Sequence, residues 1–158
     1  MDAITILARC RDAQRDVERL QKRIRRWRSA MTDISAPPMD PDGGSHAGGE
    51  TDRLPRQMAD IDTLEEQLRR REAARTVETS TACALLDRLN ETESDVLYGY
   101  YVRREALSAV AVRLKYSDAY VRRVKRSGDA ALASIPEAEV NALLPDWYKT
   151  KDGGKRNE

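Results

Sequence analysis

The stretch of sequence that decides the fold is Leu107–Arg126, which reads LSAVAVRLKYSDAYVRRVKR. It contains two short helical patterns, and Lys115 lies at the turn between them. Two helices joined by a tight turn of about four residues form a helix-turn-helix. Ser108 and Ser117 each stand near a predicted helix start, where a serine hydroxyl accepts from a free backbone N–H, so we predict that they are the caps of the two helices.

Five positions of this window must be small or apolar, because the two helices cross closely or seal against each other there. The fifth residue, at the crossing, is Ala111, and the four sealing residues are Val110, Leu114, Val121 and Val124. All five agree with the motif. The ninth position lies in the turn and is often glycine, which adopts a positive φ at little cost. Lys115 stands there and is the one departure.

The face of the second helix opposite its two valines is polar and basic, and we predict that it reads duplex DNA. An α-helix fits the major groove, where arginine donates two hydrogen bonds to guanine. The candidate base contacts are Ser117, Asp118, Ala119, Arg122 and Arg123. Phosphate contacts supply affinity without reading sequence, and the candidates for them are Arg103, Arg104, Arg113, Lys115, Tyr120, Lys125 and Arg126.

The distribution of charge also favours an anionic partner. The chain has 28 Lys and Arg against 27 Asp and Glu, a net charge of +1. Residues 103–126 carry +6, residues 1–34 carry +4, and residues 35–102 carry −7. Concentrated basic charge is typical of proteins that bind polyanions. A helical bundle with a solvated cationic face is the alternative, but charge, packing positions and a serine cap coincide in one stretch.

Upstream, the sequence predicts two long helices and a linker. Residues 1–34 repeat small or apolar residues every three or four positions, which keeps one seam on one helix face. Residues 35–53 hold three of the six Pro and four of the eight Gly and predict a flexible linker. A second helix is predicted over 54–89. Similar lengths favour an antiparallel, coiled-coil-like hairpin, while a homodimer through the first helix would use the same seam.

The remaining residues complete an all-α prediction. We predict a helix-turn-helix domain over 90–135, in which Asn90 and Thr92 can cap the first helix. Over 136–158 we predict one short helix that ends near Pro145, followed by a tail that is disordered from Lys149. The expected architecture is therefore a long N-terminal helical hairpin followed by a helix-turn-helix domain.

Residues 96–132 carry a family resemblance. Their pattern is Val96-Leu97-x-x-Tyr100-Tyr101-Val102, then Leu107-Ser108-x-Val110-Ala111-x-x-Leu114-Lys115-Tyr116-Ser117-x-x-Tyr120-Val121-x-x-Val124, then Ala131-Leu132. It resembles region 4 of sigma-70-type factors, and more closely the small phage and prophage regulators of the RinA and ArpU type. The resemblance implies a sigma-region-4-like helix-turn-helix that binds double-stranded DNA and controls late, packaging or lysis genes. Because region 4 of a sigma factor also contacts RNA polymerase, polymerase is a second implied partner.

Two other functions stay open at the level of sequence. A phage assembly protein of the small-terminase type also joins a DNA-binding module to a helical oligomerisation part. A helical interaction protein that does not bind DNA is the other. A further basic run, Lys22–Arg28, has five cations in seven residues. It is either a second nucleic-acid contact or the solvated face of the first helix.

Catalysis, metal binding and membrane insertion are not expected. There is no Ser-His or Cys-His arrangement and no glycine loop after a strand to hold a phosphate. His46 stands alone in the linker, and Cys10 and Cys83 lack zinc-site spacing, so we expect no cofactor. No apolar run is long enough for a membrane span, and charges fill the first 20 positions, unlike a secretory signal. Two distant cysteines lead us to expect a reducing cytoplasm, and the resemblance to phage regulators implies the cytoplasm of a bacterial host.

Overall fold

The computed structural model describes residues 1–34 and 53–152, and no strand occurs within these ranges. In chain order the elements are α1 (Ala3–Ile34), α2 (Arg53–Leu86), α3 (Glu91–Leu97), a π-helical turn (Tyr98–Val102), α4 (Leu107–Leu114), α5 (Asp118–Ala133), α6 (Glu137–Ala142) and α7 (Asp146–Asp152). The predictions of an all-α fold and of a long N-terminal helix are confirmed. The predicted linker, with His46, lies outside the described residues except for Arg53, which begins α2.

The chain folds as two compact units, and both long helices contribute to each of them. The smaller unit comprises residues 15–72, described over 15–34 and 53–72. The larger unit comprises residues 1–14 and everything from residue 73 onward, described as far as residue 152. Each unit has its own buried residues.

The smaller unit buries an apolar seam between its two helical segments. Val17 and Ile24 of α1 and Ile61 and Leu64 of α2 are the buried residues. Charged side chains connect the two segments at the edges of the seam. Arg71 donates to Asp16 at 3.3 Å, and Arg28 donates to Glu65. In this unit the regularly spaced apolar side chains of α1 are thus buried against α2 of the same chain.

The larger unit has two apolar clusters, and α5 contributes to both. The first cluster joins the start of α1, the end of α2 and the C-terminal helices, and its buried residues are Ala3, Ile6, Leu7, Cys10, Ala82, Leu85, Leu86, Leu97, Tyr101, Leu132, Val140, Leu144 and Tyr148. The second cluster contains Val96, Val110, Ala111, Val121 and Val124. The two ends of α5 are therefore held by different sets of side chains.

Helix starts show which of the predicted caps form. Asn90 accepts a hydrogen bond from the backbone N–H of Glu93 at 2.9 Å, as predicted for α3. The prediction for Ser108 is wrong, because α4 begins one residue earlier, at Leu107, and its N-cap Ala106 has no polar side chain. The α2 helix ends at Leu86 rather than Leu89, since the N–H groups of Arg88 and Leu89 bond three residues back and tighten its last turn.

The C-terminal segment forms two helices where we predicted one. The α6 helix ends at Ala142, and after Pro145 the chain continues as α7, so the predicted disorder is wrong for residues 149–152. Tyr148 explains the difference, because its side chain is buried and donates to Glu78 at 2.6 Å. Burial, together with this hydrogen bond, raises the pKa of Tyr148 to about 12. Residues 153–158 lie outside the described part of the chain.

Candidate nucleic-acid interface

The connection between α4 and α5 consists of three residues and is closed by backbone hydrogen bonds. Lys115 adopts the left-handed conformation, with φ 59° and ψ 40°. Its N–H donates to the carbonyl of Val112 at 3.3 Å, and the next N–H, from Tyr116, donates to Ala111 at 2.9 Å. The positive φ expected at the turn is present, although a lysine rather than a glycine adopts it. Such a C-terminal cap stops a helix abruptly and redirects the chain.

Ser117 caps the start of α5, as the sequence predicted. Its Oγ accepts from the backbone N–H of Tyr120 at 3.2 Å, and Asp118 places a carboxylate in the first turn. Both features stabilise a helix N-terminus, where N–H groups lack partners and the helix dipole is positive. The start of α5 is therefore fixed, and the side chains that follow project from a defined point.

The seam between α4 and α5 contains the five predicted packing residues. Val110, Ala111 and Val121 are at most 1% exposed, and Val124 is 8% exposed. Leu114 is half-buried against them, as is Leu107. Val96 of α3 belongs to the same cluster, so the pair rests on a third helix. This packing fixes which face of α5 points outward.

The outward face of α5 carries all the predicted base contacts. Ser117, Asp118, Ala119, Arg122 and Arg123 are exposed, and so is Arg126. Ala119, Arg123 and Arg126 follow one another at intervals of four and three residues and therefore form one row along the helix. Arg122, Arg123 and Arg126 make no hydrogen bond or ion pair within the described part of the chain. Three guanidinium groups are thus available to an external anion.

Four of the predicted phosphate contacts form two pairs with different surroundings. Arg104 and Lys115 are exposed, lack a partner among the described residues, and both have a φ of 59°. Arg103 and Arg113 instead share the carboxylate of Glu105, at 2.8 and 3.1 Å. That carboxylate must be displaced or shared before either arginine binds a phosphate. The pattern of charges in the sequence did not reveal this role of Glu105.

Lys125 differs most from its predicted role. Its ammonium lies 2.5 Å from Asp129 and 4.7 Å from the centre of the Tyr100 ring, and its side chain is only 19% exposed. Although burial alone lowers the pKa of Lys125, the hydrogen bond to Asp129 raises it overall. Lys125 therefore forms an ion pair within the larger unit, and its phosphate contact stays a prediction.

Tyr120 lies at the edge of the basic face of α5, beside acidic residues of α3. It is 36% exposed and packs edge to face against Tyr116, with 4.9 Å between ring centres. Together with Arg123 it lines a groove toward the start of α3, where Glu91 and Glu93 lie. Acidic side chains repel phosphate, so the groove marks a boundary of the basic surface rather than an extension of it.

Arg11 of α1 contacts the segment that leads into α4 from inside the larger unit, and sequence reasoning missed it. Its guanidinium lies 4.0 Å from the centre of the Tyr100 ring and donates to the backbone carbonyls of Tyr100 and Glu105. These carbonyls belong to the π-helical turn and to the loop that leads into α4. Arg11 looks like any polar residue of an amphipathic helix, so nothing in its sequence context signals this contact.

Other site types find no support in the described ranges. No group of three or more His, Cys, Asp or Glu residues there could hold a metal ion. The Cys10 thiol donates to Thr79 at 3.7 Å, and burial raises the pKa of both Cys10 and Cys83, which disfavours the reactive thiolate. No described helix combines the length and apolar character needed to cross a bilayer.

Comparisons with protein-family models, with curated proteins and with solved structures found no match for this chain.

Proposed function

We propose that the protein is a phage-type transcriptional regulator that reads duplex DNA through α5 of a sigma-region-4-like helix-turn-helix. The observation that carries the proposal is the set of three exposed arginines on α5, Arg122, Arg123 and Arg126, which have no partner among the described residues. They project from a helix whose opposite face is buried and whose start is capped. Rigid placement of this kind is what base recognition requires.

The geometry of the row on α5 suits the major groove. Ala119 is small and lies nearest the N-terminus, so it allows the helix backbone to approach the base edges. Arg123 lies one turn further along, and Arg122 lies beside it, so both can reach guanine O6 and N7. Arg126 lies toward the other end of the row and suits a phosphate, as do the exposed Arg104 and Lys115.

The phage setting, the control of late, packaging or lysis genes and the contact with RNA polymerase rest on the family resemblance. They predict that genes for packaging, lysis or late structural proteins lie beside the gene for this protein. They also predict that purified polymerase is retained by the immobilised protein. Neighbouring genes of an unrelated kind would contradict the phage setting while leaving DNA binding open.

The first experiment selects a preferred site from a pool of random duplexes and then measures affinity for that site and for a scrambled one. The double variant Arg122→Ala/Arg123→Ala should lose the preference while keeping its helical circular dichroism. Each lost bidentate contact is worth about 1–3 kcal/mol of discrimination. Arg53→Ala/Arg56→Ala removes two exposed cations from α2 and is the matched control, which should keep the preference.

Four outcomes would contradict the proposal. If no duplex is enriched, or if the Arg122/Arg123 variant keeps its preference, α5 is not the reading element. If the protein passes through a DNA column at physiological salt, it is a helical interaction protein. If light scattering shows a ring of many subunits rather than a monomer or dimer, an assembly protein of the small-terminase type is the better description.

A further inference from the structure

The outer face of α1 in the smaller unit carries a second row of cations. Arg15, Arg19, Lys22 and Arg26 are all exposed. They follow one another at intervals of four, three and four residues, which keeps them on one face of a helix. At about 1.5 Å per residue, the row is roughly 16 Å long. Arg23 is exposed beside it.

This row points away from the seam of the smaller unit. Val17 and Ile24 are the buried residues of this part of α1. At about 100° per residue they lie on the side of the helix opposite Lys22. The row is therefore not a by-product of packing against α2, and its side chains are free to meet a partner from solution.

The cations on the two helices of the smaller unit differ in whether they form ion pairs. On α2, Arg69 and Arg70 both pair with Glu66, and Arg71 donates to Asp16. On α1, Arg15, Lys22 and Arg26 make no ion pair among the described residues. Arg19 reaches only the outer limit of an ion pair, 4.0 Å from Asp16, a carboxylate that Arg71 already engages.

An unpaired row of this kind is unfavourable for the isolated helix. Arg15 and Arg19, and likewise Lys22 and Arg26, are like charges four residues apart, which destabilises a helix. The row also lacks the apolar side chains with which a helix inserts into a membrane surface. A polyanion relieves the repulsion, and phosphates on duplex DNA supply about one negative charge per 1.7 Å of helix axis.

We propose that Arg15, Arg19, Lys22 and Arg26 form a second site, which binds the phosphate backbone of duplex DNA without reading its sequence. The site lies wholly in the smaller unit and does not depend on the proposed role of α5. Its contribution is electrostatic, so it raises affinity for every duplex and makes binding more sensitive to salt.

The test measures the slope of log affinity against log salt concentration for the full chain and a duplex of arbitrary sequence. In R15Q/R19Q/K22Q/R26Q the slope should become shallower by about 3.6, since each of the four lost phosphate contacts removes about 0.9. Glutamine is a good helix former, so these exposed changes should leave the circular dichroism unchanged. The smaller change K22Q/R26Q should give about half the effect and serves if the quadruple variant fails to fold.

The matched control is R53Q/R56Q/R69Q/R70Q, which removes the same charge from exposed positions of α2 in the same unit. Its slope should change by less than about 1. Equal changes in both quadruple variants would overturn the site, because net charge alone would then account for binding. An unchanged slope in the α1 variant would overturn it too, and so would binding to phosphatidylserine vesicles as tight as binding to the duplex.

The two proposals fail in different ways. Loss of the α1 row should weaken binding to the selected and scrambled duplexes equally and leave their affinity ratio unchanged. Loss of Arg122 and Arg123 should collapse that ratio. A protein with no sequence preference but a salt slope that depends on the α1 row would retain the second site and refute the reading role of α5.

Discussion

Two helix pairs in this protein bury apolar seams and expose many charges: α4 and α5 in the larger unit, and α1 and α2 in the smaller one. In the first pair the seam is almost completely buried, the turn has three residues, and the cap hydrogen bond is formed. In the second pair the same number of buried residues is spread over two longer helical segments, and the apolar Leu54 and Met58 of α2 are exposed. The first pair is built to hold side chains in fixed positions.

The comparison teaches that a basic helix face is informative only when its pairing is known. Arg69 and Arg70 on α2 look as basic in the sequence as Arg122 and Arg123 on α5. The first two share the single carboxylate of Glu66, whereas the second two have no carboxylate partner in the described structure. Availability of the charge, rather than its presence, separates a candidate site from a solvated surface.

The largest expected effect comes from placing a charge in each seam. Val121→Asp should lower the free energy of unfolding by about 4 kcal/mol, because Val121 is completely buried and an aspartate there has no partner. Ile24→Asp should cost about half as much, since Ile24 is 5% exposed and exposed arginines flank it. Chemical denaturation measures both. Equal losses would show that the two seams are equally closed.

The caps provide a second test. Ser117→Ala should cost about 1 kcal/mol, because it removes the acceptor for the Tyr120 N–H at the start of α5. Ser108→Ala should change stability by less than about 0.5 kcal/mol, because Ser108 is exposed and does not cap α4. Thermal unfolding of the two variants separates these outcomes. A larger loss at Ser108 would reinstate the cap predicted from sequence.

The same substitution should have opposite signs in the two pairs. Lys115→Gly should raise the free energy of unfolding by about 0.5–1 kcal/mol, because glycine adopts the left-handed conformation of the turn without strain. Lys22→Gly should lower it by about 1 kcal/mol, since Lys22 lies in the interior of α1. Denaturant midpoints report the difference. A loss of stability at Lys115 would mean that its side chain contributes more than its conformation costs.

The smallest effect concerns two carboxylates that each hold two arginines. Glu105→Gln should tighten binding to DNA about twofold to threefold, because it releases Arg103 and Arg113 beside the basic face of the larger unit. Glu66→Gln releases Arg69 and Arg70 on α2. It should change the affinity for DNA by less than about twofold, because exposed ion pairs contribute little. Titration at low salt measures both. Equal gains would indicate that only net charge matters.

Much of the helical architecture could be predicted because it depends on local rules. Apolar spacing predicted the long first helix and the α4–α5 seam, and Asn90 and Ser117 were identified by their capping chemistry. The errors fell where a distant residue decides the outcome. The prediction for the C-terminal tail failed because Tyr148, the anchor of α7, is buried in a cluster with residues of both long helices and donates to Glu78, which lies 70 positions away in the chain.

For the candidate site too, local rules predicted one part and distant residues decided the other. Helical periodicity alone predicted that α5 exposes Arg122, Arg123 and Arg126, because they lie opposite the two buried valines, Val121 and Val124. Only the tertiary structure decided that Lys125 turns inward to Asp129, Tyr100 and Tyr101, and that Glu105 holds two other arginines. Periodicity gives the direction of a side chain relative to its own helix. Whether its charge is already neutralised depends on groups that the fold brings from elsewhere in the chain.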